Sequence, residues 1–179
     1  MNEEQVDVSA EEKVRVFIEA LKRLCFQIKD LLKDTGYKIE EAEVDIAEER
    51  AGTYKAPSLT IYDSNGKVAS IVPIGAWIIA ADGRVDIKGK FSSEPLLLFR
   101  DRGGPVIETQ EKVGDQYETN KKYIFKGVDD AGWYWLGSKV RSRAQKLNKE
   151  LLLELISLVR GSKSNKELLL DLLSLVKDD

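Results

Sequence analysis

The first regular hydrophobic pattern in the chain predicts an amphipathic helix close to the N-terminus. Ser9 and Glu12 have the spacing of a capping box, in which each residue satisfies a backbone donor of the other. Gly36 suits the left-handed end of such a helix. We therefore expect a helix over residues 9–35, with Cys25 packed in its apolar face. Apolar residues three and four positions apart form that face: Val14, Phe17, Ile18, Leu21, Leu24, Cys25, Ile28, Leu31 and Leu32.

From Tyr37 onwards the apolar period changes to two, which indicates strands with one solvated face. The strongest local signal is Asn65-Gly66, because this dipeptide between two β-prone segments favours a tight hairpin turn. Short turns without helical patterns between them favour an antiparallel meander over a parallel sheet. We expect residues 37–137 to be β-rich, with hairpins of 58–62 with 67–72 and of 76–80 with 84–88, and further strands at 95–100, 106–109, 123–126 and 133–136.

Two nearly identical Leu-rich segments lie close to the C-terminus, NKELLLELISLV from Asn148 and NKELLLDLLSLV from Asn165. Earlier apolar residues predict that the first helix begins near Ser138 and ends at Arg160. A short link then favours an antiparallel helical pair over residues 138–177. Helices with so many leucines must bury more than one side, so we expect them to contact the sheet or a second molecule.

These patterns predict a single α+β domain over residues 1–179, with an N-terminal helix, a largely antiparallel β-meander and a C-terminal helical hairpin. A chain of 179 residues is long enough to bury a real core. Cys25 is the only cysteine, so no intrachain disulfide can form. The sequence shows neither a secretory signal nor an apolar run that could span a membrane, so we expect a cytoplasmic protein without membrane contact.

The complete absence of histidine narrows the chemistry. It excludes Ser-His-Asp and Cys-His sites and most catalytic zinc centres, and no phosphate-binding or nucleotide-binding motif occurs. A net charge of −3 gives no general attraction to nucleic acid. The main hypothesis is therefore a non-enzymatic interaction domain without a cofactor, which binds a protein partner or forms a homodimer through its Leu-rich helices.

One three-residue pattern supports a different hypothesis. Asp86-Ile87-Lys88, with Asp63 upstream on a hairpin, resembles the PD-(D/E)xK nucleases. The resemblance implies a Mg²⁺-dependent nuclease or phosphodiesterase in which Asp63 and Asp86 hold the metal and Lys88 steadies the attacking water or the phosphate. The alternative is a hairpin edge whose Asp86 and Lys88 face solvent while Ile87 faces the core.

Aromatic and basic residues next to each other suggest a binding surface. Trp133 and Trp135 share one face of a strand, where they either stack on a ligand or fill the core. Lys139, Arg143 and Lys146 are predicted to share a helical face, which contacts phosphate or an acidic protein, or is simply solvated. A small-ligand pocket between sheet and helices is a third function class, for which the sequence has no polar signature.

Overall fold

Nine strands and two helices make up the part of the chain that the computed structural model describes, residues 9–114, 116–137 and 143–161. In chain order they are α1 (Ala10–Leu32), β1 (Lys38–Glu48), β2 (Gly52–Asp63), β3 (Gly66–Gly75), β4 (Gly83–Lys88), β5 (Ser93–Phe99), β6 (Val106–Val113), β7 (Gln116–Tyr123), β8 (Gly132–Trp135), β9 (Gln145–Lys146) and α2 (Lys149–Arg160). Seven strands form one sheet in the order β1-β2-β3-β4-β5-β8-β9, and all its neighbouring pairs are antiparallel. The chain is thus α+β, with an N-terminal helix and a mostly antiparallel sheet.

Helix α1 forms where its apolar stripe predicts it. The Ser9 hydroxyl accepts a hydrogen bond from the Glu12 backbone N–H at 3.2 Å, as in the expected capping box. The helix ends at Leu32, and Gly36 follows with a φ of 79°. Cys25 is buried in the core, and burial raises the pKa of its thiol to about 11. Cys25 is therefore a protonated packing residue.

The hairpin predicted at Asn65-Gly66 is confirmed as the turn between β2 and β3. The second predicted hairpin, 76–80 with 84–88, is wrong, because β4 pairs with β3 on one side and β5 on the other. Residues 76–82 form an irregular connection instead. The Glu48 carboxylate explains this path, since it accepts hydrogen bonds from the backbone N–H groups of Ala76 at 3.0 Å and Trp77 at 2.9 Å. A side chain of β1 thus satisfies donors that a strand would have paired.

Helix α2 lies against β3, β4 and β5. The expectation that the first Leu-rich segment contacts the sheet is confirmed, because Leu151, Leu152, Leu155, Ile156 and Val159 are buried. The expectation that it buries more than one side is wrong, because these residues share one face and Leu158 is exposed. The predicted start near Ser138 is wrong. Asn148 caps the helix by accepting from the Leu151 backbone N–H at 2.8 Å, and the residues just before it form β9. Burial of Ala144 and Leu147 on the sheet, rather than a helical turn, explains the earlier apolar spacing.

The second Leu-rich segment, 165–176, lies outside the described residues. The C-terminal helical pair over residues 138–177 therefore stays a prediction. Neither α1 nor α2, the helices of the described ranges, has the length and apolarity that a membrane crossing requires.

A long hairpin, which we call the β arm, consists of β6 and β7 and is inserted between β5 and β8. All its described strand residues are exposed. The strand expected at 106–109 is longer than predicted and continues to Val113 as β6. Of the strand expected at 123–126, only Tyr123 belongs to a strand, as the last residue of β7. Strand β7 was not anticipated, because its polar residues give no alternating apolar signal.

The Glu48 contacts lead to a stability prediction. Glu48→Ala leaves two backbone donors without their acceptor and also removes the partner of the Tyr54 hydroxyl. We expect a loss of about 2–3 kcal/mol in the free energy of unfolding, measured by urea denaturation. Glu49→Ala, a change at the exposed neighbouring residue, serves as the control and should cost less than about 0.5 kcal/mol. Equal losses in the two variants would show that Glu48 does not hold the connection.

Candidate functional site

An open cleft of about 510 Å³ lies between α1 and the end of the sheet formed by β5, β8 and β9. Helix α1 forms one wall, because residues spaced three and four apart along it point to the same side. The sheet and its adjoining loops form the other wall. The lining residues are Val16, Ala20, Arg23, Leu24 and Gln27 from α1, and Leu98, Phe99, Arg100, Ala131, Gly132, Trp133, Lys146 and Leu147 from the opposite side.

The floor of the cleft is apolar and belongs to the main core. Trp133 is 5% exposed, and its ring packs against Phe17 with the ring centroids 6.4 Å apart. The Trp133 carbonyl accepts a hydrogen bond from the Leu147 N–H at 2.8 Å, which draws the end of β9 against β8. Gln27 of α1 donates to the Leu147 carbonyl at 3.5 Å. These contacts fix the floor between helix and sheet.

The rim of the cleft is basic. Arg23, Arg100 and Lys146 line it, and no carboxylate belongs to the lining that the structure describes. Within the described ranges neither Arg23 nor Arg100 has a carboxylate at ion-pair distance. The hydrogen bond from Arg15 lowers the pKa of the Glu12 carboxyl, and Arg100 is close enough to help lower it. The Arg100 backbone N–H donates to the Asp82 carboxylate at 2.8 Å, which fixes the point where this side chain leaves the sheet.

Lys146 is held in place by a small polar network. Its ammonium lies 2.6 and 2.7 Å from the two carboxylate oxygens of Asp130, and the Tyr134 hydroxyl lies 3.0 Å from one of them. The hydrogen bond from Lys146, followed by that from Tyr134, lowers the pKa of Asp130. Burial raises the pKa of Tyr134. A charged pair therefore positions Lys146 at the rim.

Gly132 leaves room for the Lys146 side chain to cross β8. A Cβ atom at Gly132 would lie 2.7 Å from Cε of Lys146, closer than two such atoms approach, and its φ of 157° also disfavours other residues. The lysine stem therefore crosses β8 directly over a glycine. This position depends on the absence of a side chain.

The structure brings together two of the predicted binding residues, Trp133 and Lys146. Trp135 shares the core-facing side of β8 with Trp133, but its indole N–H donates to Glu94 at 2.8 Å and it does not line the cleft. Arg143 lies 3.8 Å from Asp129, also outside the lining. The predicted helical face shared by these basic residues is wrong, because Lys146 belongs to β9; Lys139 lies outside the described residues.

The residues of the nuclease hypothesis do not converge. Asp63 pairs with Gly66 and Asp86 with Val72, positions that are six residues apart on β3, or roughly 20 Å at about 3.3 Å per residue. Mg²⁺ ligands lie about 2.1 Å from the ion, so the two carboxylates cannot share one metal. Over the described ranges no group of three His, Cys, Asp or Glu residues could hold a metal ion.

Asp63 and Asp86 each have a structural partner instead. The Asp63 carboxylate lies 2.7 Å from the Arg160 guanidinium and so connects the β2–β3 turn to the end of α2. Asp86 is 6% exposed and lies 2.7 Å from Arg84 on the side of β4 opposite Val85 and Ile87. The expected alternation is correct, because Val85 and Ile87 are buried and Lys88 is exposed. The expected hairpin edge is wrong, because β4 pairs with β3 and with β5, and Asp86 is buried rather than solvated.

Sequence reasoning missed the two arginines of the rim. Arg23 lies beside the apolar stripe of α1, so its position at the edge of the buried face was a usable signal. Arg100 follows β5 directly, and no local pattern distinguishes it from other exposed arginines. Only the packing of α1 on the sheet brings the two together.

Comparison with known proteins gives no family assignment. No protein-family model, no curated protein and no solved structure matches the chain. The cleft is therefore interpreted from its geometry and charge alone.

The polar network at the rim predicts how Asp130 titrates. Because its folded pKa is lowered, its contribution to stability is complete above the unfolded pKa and is lost as the pH falls through the folded one. We expect Lys146→Met to raise the pKa of Asp130, measured by carboxyl NMR titration, since the main cause of the shift is removed. Lys122→Met on the β arm is the control. An unchanged Asp130 midpoint in Lys146→Met would contradict the network.

Proposed function

We propose that the protein is a binding protein for a small amphiphilic anion, which occupies the cleft between α1 and β8. The observation that carries the proposal is the charge of the lining. Of the residues that the structure describes there, Arg23 and Arg100 have no carboxylate at ion-pair distance, Lys146 is balanced by Asp130, and none is acidic. An anionic head group fits the rim, and an apolar or aromatic body fits the floor at Trp133.

The size of the cleft supports a ligand of this class. Its volume of about 510 Å³ lies within the range of small-molecule sites, roughly 300–1,000 Å³. Such sites combine an apolar lining with a few polar groups that fix orientation. Arg23 and Arg100 come from opposite walls, so one carboxylate, sulfonate or phosphate between them would receive hydrogen bonds from both sides.

Binding, rather than catalysis, is proposed because of the chemistry of the described lining. It holds no carboxylate, cysteine or hydroxyl nucleophile. The Lys146 ammonium lies 2.6 Å from the Asp130 carboxylate, so it is held in an ion pair rather than left free to attack a ligand. The lining residues can orient and neutralise an anion, and the proposal assigns them no bond-breaking step.

Association through the Leu-rich helices has less support from the described residues. Leu151, Leu152 and Leu155 of α2 are buried against the sheet, and Leu158, which is 44% exposed, offers little surface for a partner. The second Leu-rich segment lies outside the described ranges, so self-association through it stays a prediction. Self-association is better argued from the β arm, whose strands are exposed throughout.

A pair of fluorescent probes tests the cleft. Anilinonaphthalene sulfonate combines an aromatic body with an anionic group, and phenylnaphthylamine has the same body without the charge. We expect Arg23→Gln and Arg100→Gln each to weaken binding of the sulfonate about fivefold, which is typical of losing one partly exposed charged contact. Binding of the neutral probe should change by less than about twofold.

Two matched controls separate a local effect from net charge. Lys22→Gln and Arg102→Gln remove one positive charge close to each rim arginine, but neither residue lines the cleft. These variants should bind the sulfonate as the unmodified protein does. Equal losses in controls and rim variants, or rim variants with undiminished binding, would overturn the proposal.

A further inference from the structure

Within the part of the chain that the structure describes, the β arm packs against no other strand or helix. A two-stranded hairpin is marginally stable by itself in water, because nothing covers either of its faces. Here all described residues of β6 and β7 are exposed, and neither strand pairs with a third one in the described part of the chain. Both outer edges therefore present backbone donors and acceptors to solvent.

Exposed apolar side chains occur on both strands of the β arm, with Val106, Ile107 and Val113 on β6 and two aromatic residues on β7. Tyr117 is 68% exposed and Tyr123 is 58% exposed, one at each end of the strand. They lie on the same face, because they are six residues apart and alternate residues of a strand share a face. Both tyrosines of β7 are thus more than half exposed, and the ring of Tyr123 lies over Gly103 at the base of the arm.

The charges of the β arm are only partly balanced within one molecule. Glu108 and Lys121 are paired across the strands at 2.7 Å. Glu111 lies directly opposite Glu118, an arrangement that destabilises a hairpin, and Lys122 lies opposite the apolar Ile107. Within the described ranges Glu118 and Lys122 have no ion-pair partner.

The hairpin register determines which backbone groups point outward. The Ile124 N–H donates to the Pro105 carbonyl at 3.0 Å, so residues 105 and 124 form a hydrogen-bonded pair next to the Val106–Tyr123 pair. Hydrogen-bonded and non-hydrogen-bonded pairs then alternate along an antiparallel ladder. The outward donors and acceptors of β7 therefore belong to Tyr117, Thr119, Lys121 and Tyr123.

A second copy of β7 complements this edge. If two β7 strands align antiparallel with Asn120 opposite Asn120 of the second copy, the outward backbone groups match in register. Glu118 then lies opposite Lys122 of the second copy, and Tyr117 opposite Tyr123 of the second copy. The two-fold axis makes each of these contacts twice.

We infer that the β arm is a self-association element, through which β7 pairs with β7 of a second copy about a two-fold axis at Asn120. The pairing makes one four-stranded sheet from two arms, covers the exposed tyrosines and places a lysine beside Glu118, which relieves the repulsion from Glu111.

Charge reversal at two positions tests the pairing and its register. Glu118→Lys and Lys122→Glu each place like charges opposite each other at both ends of the proposed interface. By light scattering, the unmodified chain should have twice its mass of 20.2 kDa at high concentration, whereas each single variant should have the monomer mass. An equimolar mixture of the two variants should regain the doubled mass. One variant then carries only lysines at the two positions and the other only glutamates, so every contact across the axis joins opposite charges.

The controls make every outcome decisive. The double variant Glu118→Lys/Lys122→Glu should dimerise, and Lys67→Glu, a charge reversal at an exposed residue of β3, should not affect the mass. Equal thermal unfolding midpoints would show that the single variants stay folded. An unmodified chain that stays monomeric at about 0.5 mM, single variants that dimerise normally, or a mixture that fails to pair would each overturn the inference.

Discussion

Burial of two helices in one core is the constraint on which the rest of the structure depends. Helix α2 covers β3, β4 and β5, while α1 packs through Phe17 against Trp133 of β8. Residues of both helices and of the sheet belong to a single apolar cluster. At the β8–β9 end α1 alone lines the remaining space, which is the cleft. The cleft therefore lies at the end of the sheet that α2 does not cover.

Strand β8 connects the apolar core to the basic rim of the cleft. Its alternation puts Trp133 into the core and Tyr134 on the other side of the sheet, in a second buried cluster with Phe99. From there the Tyr134 hydroxyl contacts Asp130, and Asp130 holds Lys146 at the rim. A single strand of four residues thus supplies the floor of the site and, through its opposite face, the position of one of its charges.

Local signals in the sequence predicted those elements whose own residues specify them. The capping box at Ser9, the stripe of α1 and the turn at Asn65-Gly66 need no distant contact to be recognised. The course of the backbone after Gly75 could not be predicted, because the N–H groups of Ala76 and Trp77 donate to Glu48, which lies far away in sequence on β1. Pairing of β5 with β8 across the inserted arm, and with it the meeting of Arg23 and Arg100, is equally a matter of tertiary packing.

The β arm leaves and rejoins the body beside the cleft, yet its base is held independently of its strands. The Gly103 N–H donates to the Val128 carbonyl at 2.8 Å, and the Ile124 N–H donates to the Pro105 carbonyl at 3.0 Å. These bonds close the base of the arm before β6 begins and after β7 ends. Loss of pairing along the arm therefore leaves the segments that carry Arg100 and Ala131 in place. The proposed association and the proposed ligand binding therefore use neighbouring but separate residues, because the residues of the proposed β7 interface do not line the cleft.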